Sequence, residues 1–185
     1  MNTYASATDA AVAVCKASDQ DISAILDLIN GYASAGVMLP RTEAELRAGL
    51  GNFWVARENG RIAGCVALCS YGARLAEVRS LAVHPDYEGR GIGRQLVEAA
   101  VESASDAGVG AVFAFTLVPG FFRKAGFEEA DRGLLPVKVW KDCIRCPKIS
   151  CCDEIAMIRT LRPGYAPDPC EQTDAGSVVF PILRS

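Results

Sequence analysis

Gly89-Arg90-Gly91-Ile92-Gly93, near the middle of the chain, has the composition of an anion cradle. Glycines let backbone N–H groups crowd onto a phosphate, and the helix-periodic stretch that follows would add the positive end of its dipole. Arg90 and Arg94 supply full positive charges. The predicted chemistry is the holding of a phosphate. Two common phosphate loops do not fit. A Walker loop needs GxxxxGK[ST], but Arg94 follows Gly93 and no Lys-Ser or Lys-Thr comes after it. A dinucleotide fingerprint needs GxGxxG; here the glycines are spaced by two, none follows at position 94, and no acidic residue closes a strand about 20 residues later. A strand-to-helix turn with no ligand is the bland alternative.

A second group is Cys143, Cys146, Cys151 and Cys152, four thiols in ten residues. They have the number and reach for one tetrahedral zinc, although an adjacent second pair is unusual for a single ion. Reduced structural thiols and a redox pair are the other readings, so no metal ligand is assigned. Cys65 and Cys69 alternate with Ala67 on a strand pattern and read as core. Cys15 and Cys170 carry no motif. His84, the single histidine, precedes a proline and reads as structural; Trp54 and Trp140 read as packing residues.

The elements that must position these residues follow from periodicity. Residues 11–16 alternate as a strand. Ser18 to Asp21 offer helix caps, Ile22, Ile25, Leu26 and Ile29 recur at helical spacing, and Gly31 is placed to end that helix. Thr42 and Glu45 have the form of a capping box for a short second helix. Strands are expected over 53–57 and 62–71 around the turn Glu58-Asn59-Gly60-Arg61, and again over 73–83. Residues 90–107 form an amphipathic helix stopped at Gly108, 111–116 an apolar strand, and 119–126 a short helix opened by Pro119. Residues 155–161 close the set as a strand. Irregular alternation with one clear hairpin predicts a mixed sheet flanked by helices.

A chain of 185 residues suits one domain with a full core. The reading is a single domain over 1–162, containing a Cys-rich segment at 136–154, and an extended proline-rich tail over 163–185. A net charge of -3 argues against a nucleic-acid partner. Residues 1–20 lack a signal-peptide pattern, and no apolar run approaches the ~20 residues of a membrane span. The expectation is therefore a cytoplasmic protein without membrane contact, whose cysteines are thiols or ligands rather than a disulfide framework.

Glu88-Gly89-Arg90-Gly91-Ile92-Gly93 resembles the pyrophosphate loop (Q/R)-x-x-G-x-(G/A) of the GNAT acetyltransferases, with Glu88 departing at the first position. The stretches "SLAVHPDYEGRGIG" and "FFRKAGFEE" extend the likeness over roughly residues 12–129. The resemblance implies an α/β (α+β) GNAT acyl-CoA N-acyltransferase fold, with a central mixed sheet splayed at its middle, and acetyl-coenzyme A as cosubstrate. The implied cofactor-binding residues are Leu81, Ala82, Val83, Gly89, Arg90, Gly91, Ile92, Gly93 and Arg94. Glu88 is expected to point outward, away from the phosphates.

"MLPRTEAEL", "LAEVRSLAVHP" and "LPVKVWKDCIRCPKISCCDEIAM" are similar to the short single-domain bacterial N-acetylglutamate synthases. That resemblance implies acetyl transfer to the α-amine of glutamate, the first step toward arginine. A substrate with two carboxylates calls for guanidinium forks. Arg79, on the strand that reaches the splay, and Arg41, at the mouth of the second helix, are the substrate-binding candidates; Lys138 is a weaker third. An α-amine is largely protonated at pH 7, so attack on the thioester needs a base. Glu77 is the catalytic candidate, on the same strand face as Arg79 unless a bulge separates them. Many GNAT enzymes place a tyrosine acid where this chain has Phe122, so the leaving thiolate must find its proton elsewhere; a backbone N–H near Leu81 would polarise the thioester carbonyl. Glutamine, another amino acid or a small amine is the alternative acceptor. A non-catalytic acetyl-coenzyme A sensor is the alternative outside enzymes. A homodimer is compatible with the sequence, which does not by itself define the oligomeric state.

Overall fold

The computed structural model describes residues 11–135 and 143–168. Lys138, Trp140 and Cys170 lie outside them, as does most of the expected tail.

Seven strands form one sheet in the order β1-β2-β3-β4-β5-β7-β6. The strands are β1 (Ala13–Lys16), β2 (Phe53–Glu58), β3 (Arg61–Tyr71), β4 (Leu75–Val83), β5 (Ala111–Thr116), β6 (Glu128–Glu129) and β7 (Ile155–Thr160). Every neighbouring pair is antiparallel except β4 with β5. The helices are α1 (Ile22–Ser34), α2 (Glu43–Ala48), α3 (Ile92–Asp106) and α4 (Pro119–Lys124).

The local signals act as their chemistry requires. Asn59 and Gly60, with φ of 51° and 77°, turn the β2–β3 hairpin. Thr42 accepts from the Glu45 backbone N–H, and Glu45 reaches back to Thr42, so the capping box opens α2. The expected end of α1 is corrected: it runs through Gly31 to Ser34. Gly31 costs the helix backbone entropy, but the burial of Ile22, Ile25, Leu28 and Ile29 carries it past. Before α1, Asp21 is buried; burial pushes its carboxyl up, but hydrogen bonds from Arg57 and Ser18 outweigh this and hold it below its usual range. The residues after 162 are not wholly splayed over the surface. Tyr165 lies so close to Gly110 that a Cβ there would meet its ring at 2.6 Å, and Arg74 sits 5.6 Å over the same ring.

The two faces of the sheet differ. On one, α3 and α4 cover a continuous cluster that includes Trp54, Val66, Leu68, Val78, Leu96, Val97, Val112, Phe122, Phe127 and Met157. On the other, the apolar layer divides. One cluster lies under α1 and α2 (Ile25, Ile29, Leu46, Phe53, Val55, Ala67), and another surrounds Tyr71, Leu75, Phe113, Leu135 and Ala156.

Candidate active site at the fork of the sheet

β4 and β5 pair at only three positions, Leu75 with Ala111, Ala76 with Val112 and Glu77 with Phe113. Beyond Glu77, β4 continues for six residues along β3, while β5 stays paired with β7 through Thr116. The sheet therefore forks at Glu77, which occupies the last paired position. The expected splay is present, and its cause is visible in the registers.

Glu77 is 2% exposed, a burial that an unpaired carboxylate would not tolerate. The Tyr71 hydroxyl donates to its Oε2 at 2.9 Å, and an Arg79 Nη lies 3.6 Å from the same oxygen. Glu77 and Arg79 share a strand face, as expected. A bulge exists, but it falls after them. One β3 residue, Val66, stands opposite two on β4, Ser80 and Leu81, and Ser80 has φ of +50°. The extra residue reverses the alternation. Arg79 faces the α1 side before it, and Ala82 packs on that side after it, leaving Leu81 and Val83 against the α3 cluster. The Cys65 thiol lies 3.6 Å from the Ser80 carbonyl, and burial pushes its pKa up to about 12, so it remains a neutral S–H donor to the bulge.

The phosphate loop lies at the end of β4. Gly89 and Gly91 adopt φ of 74° and 77°, and a Cβ on either would meet nothing within 4 Å, which leaves the loop's outer surface open to an anion. Gly91 caps α3 without a side-chain hydrogen bond, so the first N–H groups of a 15-residue helix remain available. Ile92 anchors that helix in the core, and Gly93 lies against Val83 and the Phe121 ring at a distance where a Cβ would make only ordinary contact. These features fit a pyrophosphate. The arginines differ in availability. The Arg90 guanidinium forms a bidentate pair with Glu58 on β2, whereas Arg94 is exposed and forms no ion pair among the described residues. Glu88 is exposed, as expected, but not idle. It accepts from Tyr32 of α1 at 2.9 Å, and that hydroxyl also lies 2.6 Å from the Val83 carbonyl. Burial raises the Tyr32 pKa to about 12, so the hydroxyl remains a donor.

Arg41 is held through its backbone. Its N–H donates to Asn30 Oδ1 at 2.9 Å, and its carbonyl accepts from Asn30 Nδ2 at 3.0 Å. Asn30 belongs to α1, which packs on β3 and β4, so Arg41 sits on the wall over the acceptor face rather than on the sheet beside Arg79. Phe122 is buried, with ring centroids 5.2 Å from Phe121 and from Phe127, and has no proton to give. The cysteines at 143, 146, 151 and 152 do not gather: among the described residues no three His, Cys, Asp or Glu side chains form a metal-sized set. Cys152 instead accepts from Arg132 at 2.9 Å.

Sequence reasoning missed Tyr71, the Ser80 bulge and Tyr32. Tyr71 was within reach of it. A tight β3–β4 turn at Gly72 pairs Tyr71 with Leu75 and Cys69 with Glu77, which puts Tyr71 diagonal to Glu77 on one face.

Residues 49–129 match the acetyltransferase (GNAT) domain family. An uncharacterized N-acetyltransferase of Chlorobaculum tepidum is 45% identical over 76% of this chain and 91% of its own length. The amino-acid acetyltransferase of Mycobacterium tuberculosis is 31% identical over 71% of this chain and 77% of its own. Among solved structures, the N-acetylglutamate synthase of Neisseria gonorrhoeae complexed with coenzyme A and N-acetyl-glutamate superposes with a TM-score of 0.75 at 26% identity; the match covers 84% of this chain but 36% of that one. No helix of the described residues is long and apolar enough to cross a membrane. With its forked mixed sheet and open glycine loop, the chain belongs to the GNAT acetyltransferase family and is an acetyl-coenzyme A-dependent N-acetyltransferase of the amino-acid acetyltransferase type.

Proposed function

We propose that the acceptor is L-glutamate and that the chain is an N-acetylglutamate synthase, a cytoplasmic enzyme of arginine biosynthesis. The observation that carries this reading is a buried carboxylate, Glu77, beside a guanidinium, Arg79, at the point where the sheet forks. An amino acid brings the complementary pair: an ammonium for Glu77 and a carboxylate for Arg79. Arg41, on the α1/α2 wall, adds a second cation for a second carboxylate.

Acetyl-coenzyme A supplies an acetyl thioester. The loop Gly89 to Gly93 at the N-terminus of α3, with Arg94 adding charge, would hold its pyrophosphate, and the open edge of β4 near Leu81 would face its thioester. Glu77 takes a proton from the ammonium, directly or through a water. The freed amine forms the N–C bond as the C–S bond breaks, and the sulfur leaves as thiolate. Phe122 cannot protonate it. A thiol pKa near ~8.5 makes thiolate a tolerable leaving group, and the proton released from the amine offsets its charge.

The test is a parallel screen of purified protein and acetyl-coenzyme A against glutamate, glutamine, aspartate, lysine and a peptide amine, read by mass spectrometry. Acetylglutamate as the dominant product is expected. Preference for glutamine or a neutral amine would overturn the substrate; cofactor binding without any product would point to a sensor.

A further inference from the structure

The β5 arm of the fork carries a cation that the reaction described above does not use. Phe113 stands opposite Glu77 at the last paired position, and Phe115 follows two residues later on the same face, already past the fork. The Arg132 guanidinium carbon lies 5.0 Å over the Phe115 ring. Arg79 occupies the equivalent place on the β4 arm, two residues past Glu77. Arg132, in the turn 132–134 after β6, thus stacks on the β5 arm just past the fork, on the face that also holds Glu77 and Tyr71.

Arg132 differs from half-buried Arg57 and Arg159 in its partner. Arg57 pairs with Asp21 and Arg159 with Glu98, each directly on a carboxylate, while half-buried Arg41 resembles Arg132 in having no carboxylate partner among the described residues. Arg132 directs one Nη at the Cys152 sulfur, 2.9 Å away, and the nearest carboxylate along that line, Glu154, is a further 3.9 Å beyond the sulfur. Its Nε is buried and has no hydrogen-bond partner among the described residues. A guanidinium fork matches a carboxylate with two parallel hydrogen bonds, and a buried N–H left unmade costs its full desolvation. The fork of Arg132 is thus incompletely satisfied among the described residues, and it stacks on a ring that lies just past the fork.

We propose that Arg132 reads the side-chain carboxylate of the acceptor together with Arg41, leaving Arg79 to hold the α-carboxylate and Glu77 the ammonium. The assignment rests on the dicarboxylate reading above. It makes Arg132 the residue that separates glutamate from its amide. Guanidinium hydrogen bonds are strongest to a charged acceptor, and a site built to bond a group discriminates sharply against an analogue lacking it.

The experiment measures kcat/KM for glutamate and glutamine with wild type, Arg132→Gln, Arg132→Lys and Phe115→Leu. The expected result is that Arg132→Gln lowers the glutamate-to-glutamine preference by about 100-fold, mainly through KM for glutamate. Arg132→Lys should recover part of that preference, and Phe115→Leu, which keeps the charge but removes the ring beneath it, should lose an intermediate amount. Equal losses with both acceptors in Arg132→Gln and Phe115→Leu would mean that Arg132 is structural and would overturn the assignment alone. A wild type that prefers glutamine would overturn the glutamate reading and this assignment together.

Discussion

The two faces of this sheet solve opposite problems. The α3 face is one unbroken apolar layer, from Trp54 on β2 to Met157 on β7, and it holds the helix that begins at the glycine loop. The opposite face breaks into two clusters, and Glu77 and Arg79 lie where the layer divides. The difference teaches that one face supplies a rigid apolar platform and the other a charged gap at the fork. Closing the gap with apolar side chains would complete the core and remove the site.

The largest expected effect lies in the gap. Glu77→Gln keeps the size and the Tyr71 contact but removes the base, and kcat should fall by about 10²–10⁴-fold. The loss should be greatest at low pH, where the amine is most protonated; a pH–rate profile unchanged from wild type would remove Glu77 from the mechanism. On the continuous face the expected effect is on stability. Leu96 is fully buried between α3 and the sheet, so Leu96→Ala should cost about 2–5 kcal/mol in urea unfolding. A cost below about 1 kcal/mol would mean that this face repacks as easily as the other. The smallest effect sharpens the contrast. Replacing the pair together, Glu77→Leu with Arg79→Leu, should abolish turnover while leaving stability within about 1 kcal/mol of wild type or above it, because an apolar pair of similar volume often replaces a buried ion pair at no cost. A loss above about 3 kcal/mol would show that the charges hold the fork together, and the division of labour between the faces would fall.

Much of the cofactor side was legible in the sequence because its determinants are local. Gly89, Gly91 and Gly93 lie within five residues, and the helix after them announces itself by period. The acceptor side was legible only in part. Glu77 and Arg79 are two apart on one strand, so their shared face followed from alternation. Arg132 is more than fifty residues from either, and no local pattern marks it.

The sequence by itself determined the order and type of the four helices and of every strand except the two-residue β6, the capping box at Thr42, the turn at Asn59-Gly60 and the open glycine loop. Each depends on φ, on period or on a cap, which are properties of neighbouring residues. Tertiary structure alone decided where β4 leaves β5, that the bulge falls at Ser80 rather than before Arg79, that Arg90 turns to Glu58, and that Arg132 rests on Phe115. Those outcomes depend on strand register and on side chains from distant segments competing for the same partners, and no window of sequence contains that competition.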